Sequence, residues 1–289
     1  MIFRRFALGV GLVTGFALAG SLQAQDWQVL ARSRQVRGEE NLRVSVEFAS
    51  GFVALRPSVA GILYQAEMTY DADHFDAKIR YDASAQRLNV SLSTRGTDAA
   101  IDVDEDSPQR LGLALAPDVP IDLEMTMGAT ASDIELGGIA LQRAEITTGA
   151  SETTIQFSEP NTIACERFET SVGAARLTIE NLGNAGCARM EVRGGVGDLT
   201  VDLTGSWGTQ RNRLSITVGL GQLTIRIPTG LGVRVNLDRF LASFDRVGFS
   251  RQGGYYISDG YDSAPTKLDV DIEAVFGNVD VVWLDGRGR

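Results

Sequence analysis

One short segment of the chain combines side chains that metal binding uses. Residues Asp71–Asp76 (DADHFD) place three carboxylates beside His74, the only histidine in the sequence. Carboxylates and an imidazole together can hold a divalent metal ion, but this spacing matches no ligand motif. We therefore interpret the segment as a polar turn between two strands.

A second acidic segment, Asp102–Asp106, has the charge of a calcium loop without its pattern. It lacks the central glycine and the distant glutamate that such loops use. We interpret it as a solvated loop that closes the N-terminal part of the chain. The sequence thus gives no metal ligands and no cofactor.

The sequence offers few residues for catalysis. Around Ser250 the stretch Gly248–Gly253 misses the GxSxG spacing by one residue, and only His74 could act as its base. Asp259 and Asp262 could serve as the paired carboxylates of a polysaccharide-cleaving enzyme, which requires them about 5 to 9.5 Å apart in one cleft. We predict no catalytic residues and keep a polysaccharide-acting enzyme as the alternative.

The two aspartates belong to the best candidate for a ligand patch. Its five members lie close together in the chain: Tyr255, Tyr256, Asp259, Tyr261 and Asp262. Tyrosine rings stack on sugar faces while their hydroxyl groups form hydrogen bonds, so the patch suits a glycan. The competing interpretation is that the tyrosines cover the end of a hydrophobic core.

The elements that position these residues repeat along the second half of the chain. Five glycines recur at spacings of 21, 24, 22 and 24 residues: Gly128, Gly149, Gly173, Gly195 and Gly219. Apolar residues tend to lie one, three and five residues before each glycine, and four, six and eight after it. This alternation predicts strands with one buried face, and a period in the twenties predicts stacked units. We expect an all-β fold, a right-handed parallel β-solenoid-like stack of two-strand repeats of roughly 22 residues.

The repeat defines the predicted domains. Residues 25–116 form a β-rich N-terminal region, and residues 117–285 form the repeat domain, with an insertion at 229–266 and a tail at 286–289. Aligning Gly51 with Gly221 reveals a divergent early copy of the repeat in the N-terminal region. A last copy surrounds Gly277, and we expect it to cap the stack, since stacked repeats need atypical ends.

The outward positions of the repeat form columns of like residues. An arginine column lies beside a glutamate column: Arg143, Arg167, Arg189 and Arg213 next to Glu145, Glu169 and Glu191. Neighbouring rungs would place the like charges of one column about 4.8 Å apart, where they repel, but the adjacent glutamate column can neutralise the arginines. We interpret them as a solvated face that opposes association of sheet edges.

The N-terminus has the features of a secretory signal. Arg4 and Arg5 precede an apolar run of 15 residues from Phe6 to Gly20, and Ala24 ends the segment with a small residue. The run is shorter than the roughly 20 residues of a membrane-spanning helix. Residues 1–24 are therefore predicted to be a signal peptide cleaved after Ala24 rather than an anchor, so the protein is exported to the periplasm or the cell exterior.

The mature chain of 265 residues is acidic. Without Arg4 and Arg5 the 27 basic side chains fall to 25, against 37 acidic ones, which gives a net charge of −12. Nucleic acids and anionic membranes need a basic footprint, so the charge disfavours both as partners.

The two cysteines occupy equivalent places in neighbouring repeats. Cys165 and Cys187 each lie eight residues before their repeat glycine. Rungs about 4.8 Å apart suit the Cα separation of about 4.4 to 6.8 Å that a disulfide requires. Because an exported protein meets oxidising conditions, we predict that these cysteines form a disulfide.

Two segments resemble a known family. Val119–Ser151 is similar to the toast-rack proteins, in which a proline and an apolar lead-in precede strand–glycine–strand units. Ile62–Ala66 followed by Met68–Asp82 resembles the N-terminal domain of that family. The end of the chain resembles the C-terminal domain of LiaF-type cell-wall-antibiotic response proteins and the head-domain adhesins with repeated β-units. The resemblance implies an extracytoplasmic β-solenoid and supplies no catalytic residues, and the membrane-spanning half of LiaF-type proteins is absent.

The sequence thus predicts a non-enzymatic exported protein that presents a rigid surface, in envelope structure, adhesion or an envelope stress response. Its partner would be an envelope protein or a glycan. The alternative is a carbohydrate-binding or carbohydrate-active protein that uses the tyrosine- and aspartate-rich residues of 253–262.

Overall fold

A computed structural model describes residues 26–95, 109–208 and 212–284. Over these ranges the chain is almost entirely β, with fifteen strands and two short 3-10 helices, which confirms the predicted all-β class. The predicted signal peptide, the acidic stretch Asp102–Asp106 and the tail 286–289 lie outside the described residues.

The strands form one sheet of mixed direction. Its N-terminal strands are β1 (Trp27–Gln35), β2 (Leu42–Pro57), β3 (Ile62–Asp71), β4 (Phe75–Asp82), β5 (Arg87–Thr94) and β6 (Arg110–Leu115). The repeat supplies β7 (Ile121–Glu135), β8 (Leu141–Gln156), β9 (Cys165–Glu180), β10 (Cys187–Asp202) and β11 (Asn212–Pro228). The C-terminal strands are β12 (Leu231–Phe244), β13 (Phe249–Gln252), β14 (Tyr255–Ser258) and β15 (Thr266–Leu284).

Each repeat forms one long strand that bends at its glycine. In β8 the buried residues from Ala144 to Thr148 are even-numbered, whereas those after Gly149 are odd-numbered, beginning at Thr153. This change of phase turns the strand around the core, so the predicted pair of strands becomes two arms of a single strand. The core lies between the arms, where the rings of Phe157 and Phe168 meet edge to face with centroids 5.4 Å apart.

The long strands stack in parallel register, one above the other as rungs. The order is β2, β7, β8, β9, β10, β11, β15 and β12. The alignment predicted for the early copy is confirmed, because the pairs place Phe48 in one column with Val218, and Leu55 in one column with Ile225.

The last copy of the repeat does not cap the stack, contrary to our expectation. β15 pairs with β11 on one side and with β12 on the other, so it lies inside the stack. The residues thought to be an insertion supply the terminal rung, β12. Its sequence suits that position: Arg239, in register with the buried Ala274, occupies an inward column, where a charge is tolerated only at an exposed end.

The opposite end is closed by β5 and β6, which run parallel to β2, and by β4, β3 and β1, which are added in antiparallel pairs. On the free side of β2, its first arm pairs with β5 and its second arm with β6. β4 extends the first arm, and β3 and β1 extend the second. The two extensions meet where Tyr64 on β3 packs against Tyr81 on β4, with ring centroids 5.7 Å apart, and cover the end of the core.

The sheet runs without interruption across the predicted boundary between residues 116 and 117, because β2 pairs with β7 along both arms. The division into regions 25–116 and 117–285 therefore stays a prediction about the sequence pattern.

Candidate functional site

The bend of each rung places a short exposed segment on the outside of the stack. In β10 these residues run from Gly195 to Asp198, between inward-facing Gly194 and Leu199. The repeat glycine is required because a Cβ at Gly149 would lie 2.8 Å from the carbonyl oxygen of Gly128 on the rung below. The predicted glycines thus lie where the backbones of neighbouring rungs come close together at the bend.

Apolar side chains line this bend at the C-terminal end of the stack. Val196, Leu220, Phe276 and Leu241 follow the bend glycine or its equivalent by one residue and lie in register on four successive rungs. Phe240 precedes Leu241, and its ring meets that of Phe276 edge to face at 6.1 Å. We call these five residues the corner ridge.

The corner ridge is well exposed to solvent. The exposed fractions are 51% for Val196, 52% for Leu220, 42% for Phe276, 64% for Leu241 and 74% for Phe240. Glycines flank Val196 and Leu220 on both sides, so no neighbouring side chain along the strand covers them. In the lower rungs the same column holds small residues, Ser50, Ala129, Ala150 and Ala174.

Polar residues border the corner ridge on both sides. The column on the first-arm side contains Arg193, Thr217, Glu273 and Asp238, and the column on the second-arm side contains Asp198, Gln222, Asn278 and Ser243. Apolar surface rimmed by polar residues is a feature of many surfaces through which proteins contact other molecules. The sequence did not reveal the strip, because its members lie in separate repeats and become neighbours only when the rungs are aligned.

The tyrosines of the predicted ligand patch face different surroundings. Tyr256 is buried, and its ring centroid lies 4.8 Å from that of Phe244, so it covers the core end as the competing interpretation expected. Tyr255 is exposed, with the guanidinium carbon of Arg234 5.3 Å from its ring centroid. The Lys267 ammonium lies 4.9 Å from the ring centroid of Tyr261.

The aspartates of the patch are both exposed, and one of them borders a cavity. A cavity of about 440 Å³ has ten lining residues: Thr229, Gly230, Leu231, Gly248, Asp259, Gly260, Ser263, Ala264, Pro265 and Trp283. The indole N–H of Trp283 donates to the Val247 carbonyl at 2.9 Å, which fixes the ring at the cavity wall. Asp262 is not among the lining residues. Trp283 was not predicted as a site residue, since in the sequence it is one more position of the last repeat.

The segment around His74 forms a turn between β3 and β4. Asp71 is buried and accepts a hydrogen bond from the Asp73 amide at 3.0 Å, and its other carboxylate oxygen lies 2.7 Å from His74 Nδ1. Asp76 points to Arg95, whose hydrogen bonds lower the pKa of this carboxyl. Within the described ranges, no group of three or more histidine, cysteine, aspartate or glutamate side chains is placed to hold a metal ion.

Ser250 and His74 lie far apart in the strand order. Ser250 is on β13, the last strand at one end of the sheet, whereas His74 precedes β4 near the other end. The structure therefore does not bring this serine to its only candidate base.

The predicted arginine column is present, with Arg143, Arg167, Arg189 and Arg213 in register. Several of its charges are neutralised locally, by Asp122 for Arg143 at 2.9 Å and by Glu169 for Arg167 at 3.2 Å. The hydrogen bonds that Arg143 donates to the Asp122 carboxylate raise the pKa of Arg143. These ion pairs are those of a solvated, largely self-compensating face.

The predicted disulfide is present between the first residues of β9 and β10. Cys165 and Cys187 are paired in register and bonded, with their Cα atoms 4.1 Å apart. Both side chains are buried, so the bond joins two rungs inside the core.

In the part of the chain that the structure describes, no helix has the length and apolar character needed to cross a bilayer. The chain thus combines a stack of bent parallel strands, antiparallel strands over one end and an exposed strip at the other, the architecture of an all-β repeat protein.

This chain belongs to the toast-rack family. The family model described as "N-terminal domain of toast_rack, DUF2154" matches residues 20–180, more than half of the sequence. No curated protein matches the sequence.

Solved structures include proteins with a similar architecture. A putative cell adhesion protein from Clostridium sporogenes is 14% identical, with a TM-score of 0.51, and the match covers 89% of this chain and 100% of that one. Putative adhesins from Parabacteroides distasonis and Bacteroides fragilis are each 10% identical, with TM-scores of 0.36 and 0.33. The matches cover 89% and 88% of this chain and 98% and 97% of those chains. At 14% identity, the similarity to the Clostridium sporogenes protein concerns the fold alone.

Proposed function

We propose that this toast-rack protein is exported and non-enzymatic, and that it holds a rigid contact surface against another component of the cell envelope. The role would be in envelope structure, adhesion or an envelope stress response. The corner ridge is the observation that carries the proposal. It joins five exposed apolar side chains on four rungs whose backbones at the ridge are fixed by pairing on both sides or, in the part of β12 that carries the ridge, on one side.

The exposed ridge would be a disadvantage for the solubility of a protein that makes no contact through it. Exposed apolar side chains lower solubility, and the same column is filled by small residues in the lower rungs. Large residues at this end therefore favour a contact, since the bend itself does not require them.

Binding to cell envelopes tests the proposal. Mature protein, residues 25–289, is mixed with envelopes isolated from the organism that carries the gene, and the bound fraction is measured by co-sedimentation. Leu220→Asp and Phe276→Asp should each weaken binding at least about tenfold, because burying one such side chain contributes about 1.5–3 kcal/mol.

Ala150→Asp is the matched control, since Ala150 is an exposed member of the same column two rungs below Val196. It should bind like the unchanged protein. Equal binding by the ridge variants and the unchanged protein would exclude the corner ridge as the contact.

Export is a separate part of the proposal and rests on the signal sequence. N-terminal sequencing of the protein recovered from outside the cytoplasm should begin at Gln25. Recovery of the chain from the cytosol with residues 1–24 still attached would contradict export.

The cavity beside Trp283 favours carbohydrate binding as a second candidate function. An indole at the wall can stack on a sugar, while the Asp259 carboxylate and the Thr229 and Ser263 hydroxyls can bond to its hydroxyl groups. Screening against a glycan array would test it. Asp259→Ala should abolish binding and Asp262→Ala, outside the cavity, should preserve it; an equal loss with both variants, or no bound glycan, would refute it.

A further inference from the structure

The shape of the corner ridge restricts what it can contact. Its side chains lie on the outside of a bend, because the residues on either side of it, such as Gly194 and Leu199, face the core. The surface is therefore convex, one side chain wide for most of its length. Three rung spacings of about 4.8 Å give it a length of about 14 Å.

A strip of this size is too small for a stable protein dimer. A standard interface buries about 800 Å² on each partner, with a well-packed centre, and two convex edges meet along a line. A fluid lipid surface has no such requirement, because the lipids rearrange around an inserted side chain. Four members of the ridge occupy one register position on successive rungs, so one flat lipid surface can contact all four side chains: Val196, Leu220, Phe276 and Leu241.

The charges around the strip indicate which lipids suit it. The rim contains one basic residue, Arg193, and three acidic residues, Asp198, Glu273 and Asp238. A second basic residue, Arg239, precedes Phe240 in the sequence. Arg193 is itself paired with Glu191. The rim thus has no excess of basic groups, and the mature chain is strongly acidic, so anionic headgroups gain nothing from the contact.

We propose that the corner ridge inserts into the interfacial layer of a lipid surface with uncharged or zwitterionic headgroups. This inference rests on the proposed function, in that it names the partner of the same ridge. The insertion is shallow, of the order of the 5–10 Å reached by interfacial apolar faces, and holds the stack on the membrane by one end. Phe240 and Phe276, like Leu220 and Leu241, are side chains of the kind that interfacial apolar faces insert.

The test uses phosphatidylcholine vesicles and the mature protein. In flotation the protein should rise with the vesicles, and Leu220→Asp should lower the partition coefficient at least about tenfold. Ala150→Asp should leave it unchanged. Because the attraction is apolar, binding should also persist between about 0.05 and about 0.5 M NaCl.

A fluorescent reporter locates the contact without weakening it. Phe240→Trp places an indole on the most exposed position of the ridge, and its emission should shift to shorter wavelength when vesicles are added. Ala150→Trp, lower in the same column, should show no shift.

Several results would overturn the inference. They are absence of flotation, flotation that Leu220→Asp leaves unchanged, an equal shift for both reporters, or a dimer in sedimentation analysis that Leu220→Asp abolishes. If vesicles fail to bind while envelopes still bind through the ridge, the lipid is excluded, a protein or glycan partner is indicated and the proposed function stands. If neither binds, both proposals fail.

Discussion

At the residue scale, the bend reverses the alternation of buried and exposed positions within every rung. In β10, Val192 is buried three residues before Gly195, and Leu199 and Val201 are buried four and six residues after it. A residue is therefore assigned to the core or to solvent by its distance from the repeat glycine.

Val201 and its neighbour Thr200 test this assignment. Val201 is fully buried between Ile179 and Ile225, so Val201→Asp places an unpaired carboxylate in the core and should cost several kcal/mol. Thr200 lies on the outer face, and Thr200→Ala should cost no more than about 0.5 kcal/mol. Urea unfolding of both variants measures the difference, and similar midpoints would contradict the assigned faces.

Asp82 tests the turn between β4 and β5. Its carboxylate accepts hydrogen bonds from the Ser84 hydroxyl at 2.7 Å and from the amides of Ala85 and Ser84, which together hold its pKa below the usual range. A lowered pKa in the folded state means that the stabilisation is complete above the unfolded pKa of about 3.9 and is lost as the pH falls through the folded value. Melting temperatures of the unchanged protein and Asp82→Ala should therefore differ at neutral pH and converge in acid. A gap that stays constant from neutral pH into acid would show that the charge contributes nothing.

At the scale of elements, the sequence predicted the rungs but not their full order. Glycine spacing and alternation identified the bends and the columns, because both follow from contacts that every rung repeats. The position of β15 between β11 and β12 could not be predicted in this way. Both β12 and β15 carry apolar residues in the first-arm columns, such as Val235 and Val270. The feature that separates them, Arg239 in an inward column of β12, is recognised only when the rungs are aligned.

The candidate site was predicted less well than the fold. Tyr255, Tyr256 and Tyr261 are neighbours in sequence, yet strand alternation turns Tyr256 into the core and leaves Tyr255 outside. The corner ridge shows the opposite case, since Val196 and Phe276 are 80 residues apart and lie on the same strip. Sequence proximity grouped residues that the fold turns towards different surroundings, and it hid a strip that the register creates.

The disulfide between Cys165 and Cys187 should stabilise the stack measurably. The bond closes a loop with a sequence separation of 22 residues, which corresponds to about 3 kcal/mol in the chain-entropy account. The double variant Cys165→Ala with Cys187→Ala removes it without leaving a buried polar group. Its unfolding midpoint in urea should fall and should not respond to reductant, whereas that of the unchanged protein should fall when reductant is added. Equal midpoints without reductant would show that the bond contributes no stability.

At the scale of the whole molecule, the two ends of the stack are finished differently. The N-terminal end is covered by antiparallel strands that meet at Tyr64 and Tyr81. At the C-terminal end β14 pairs with β12 only at Arg234 and Val235, so the rest of this edge has no strand beside it among the described residues. The corner ridge reaches the same end, which makes it the part of the molecule best suited to face a partner.

The C-terminal half of the stack depends on β15, because this strand lies between β11 and β12. Among the described strands it comes last in the sequence, yet it pairs with β11 along both arms and with β12 from Leu231 to Phe244. A chain that ends at residue 265 would leave two rung edges unpaired and the apolar side chains of both uncovered. We expect the truncated protein to lose amide protection in β12 and β14 while β7–β9 stay protected, as in repeat stacks whose units contact only their neighbours.

Removal of residues 285–289 alone is the control and should leave protection unchanged. Adding the peptide 266–284 to the chain that ends at residue 265 should restore protection of β12 and β14. Full protection of β12 in the truncated chain would mean that β12 pairs directly with β11, and the strand order described here would then be only one of two that the sequence supports.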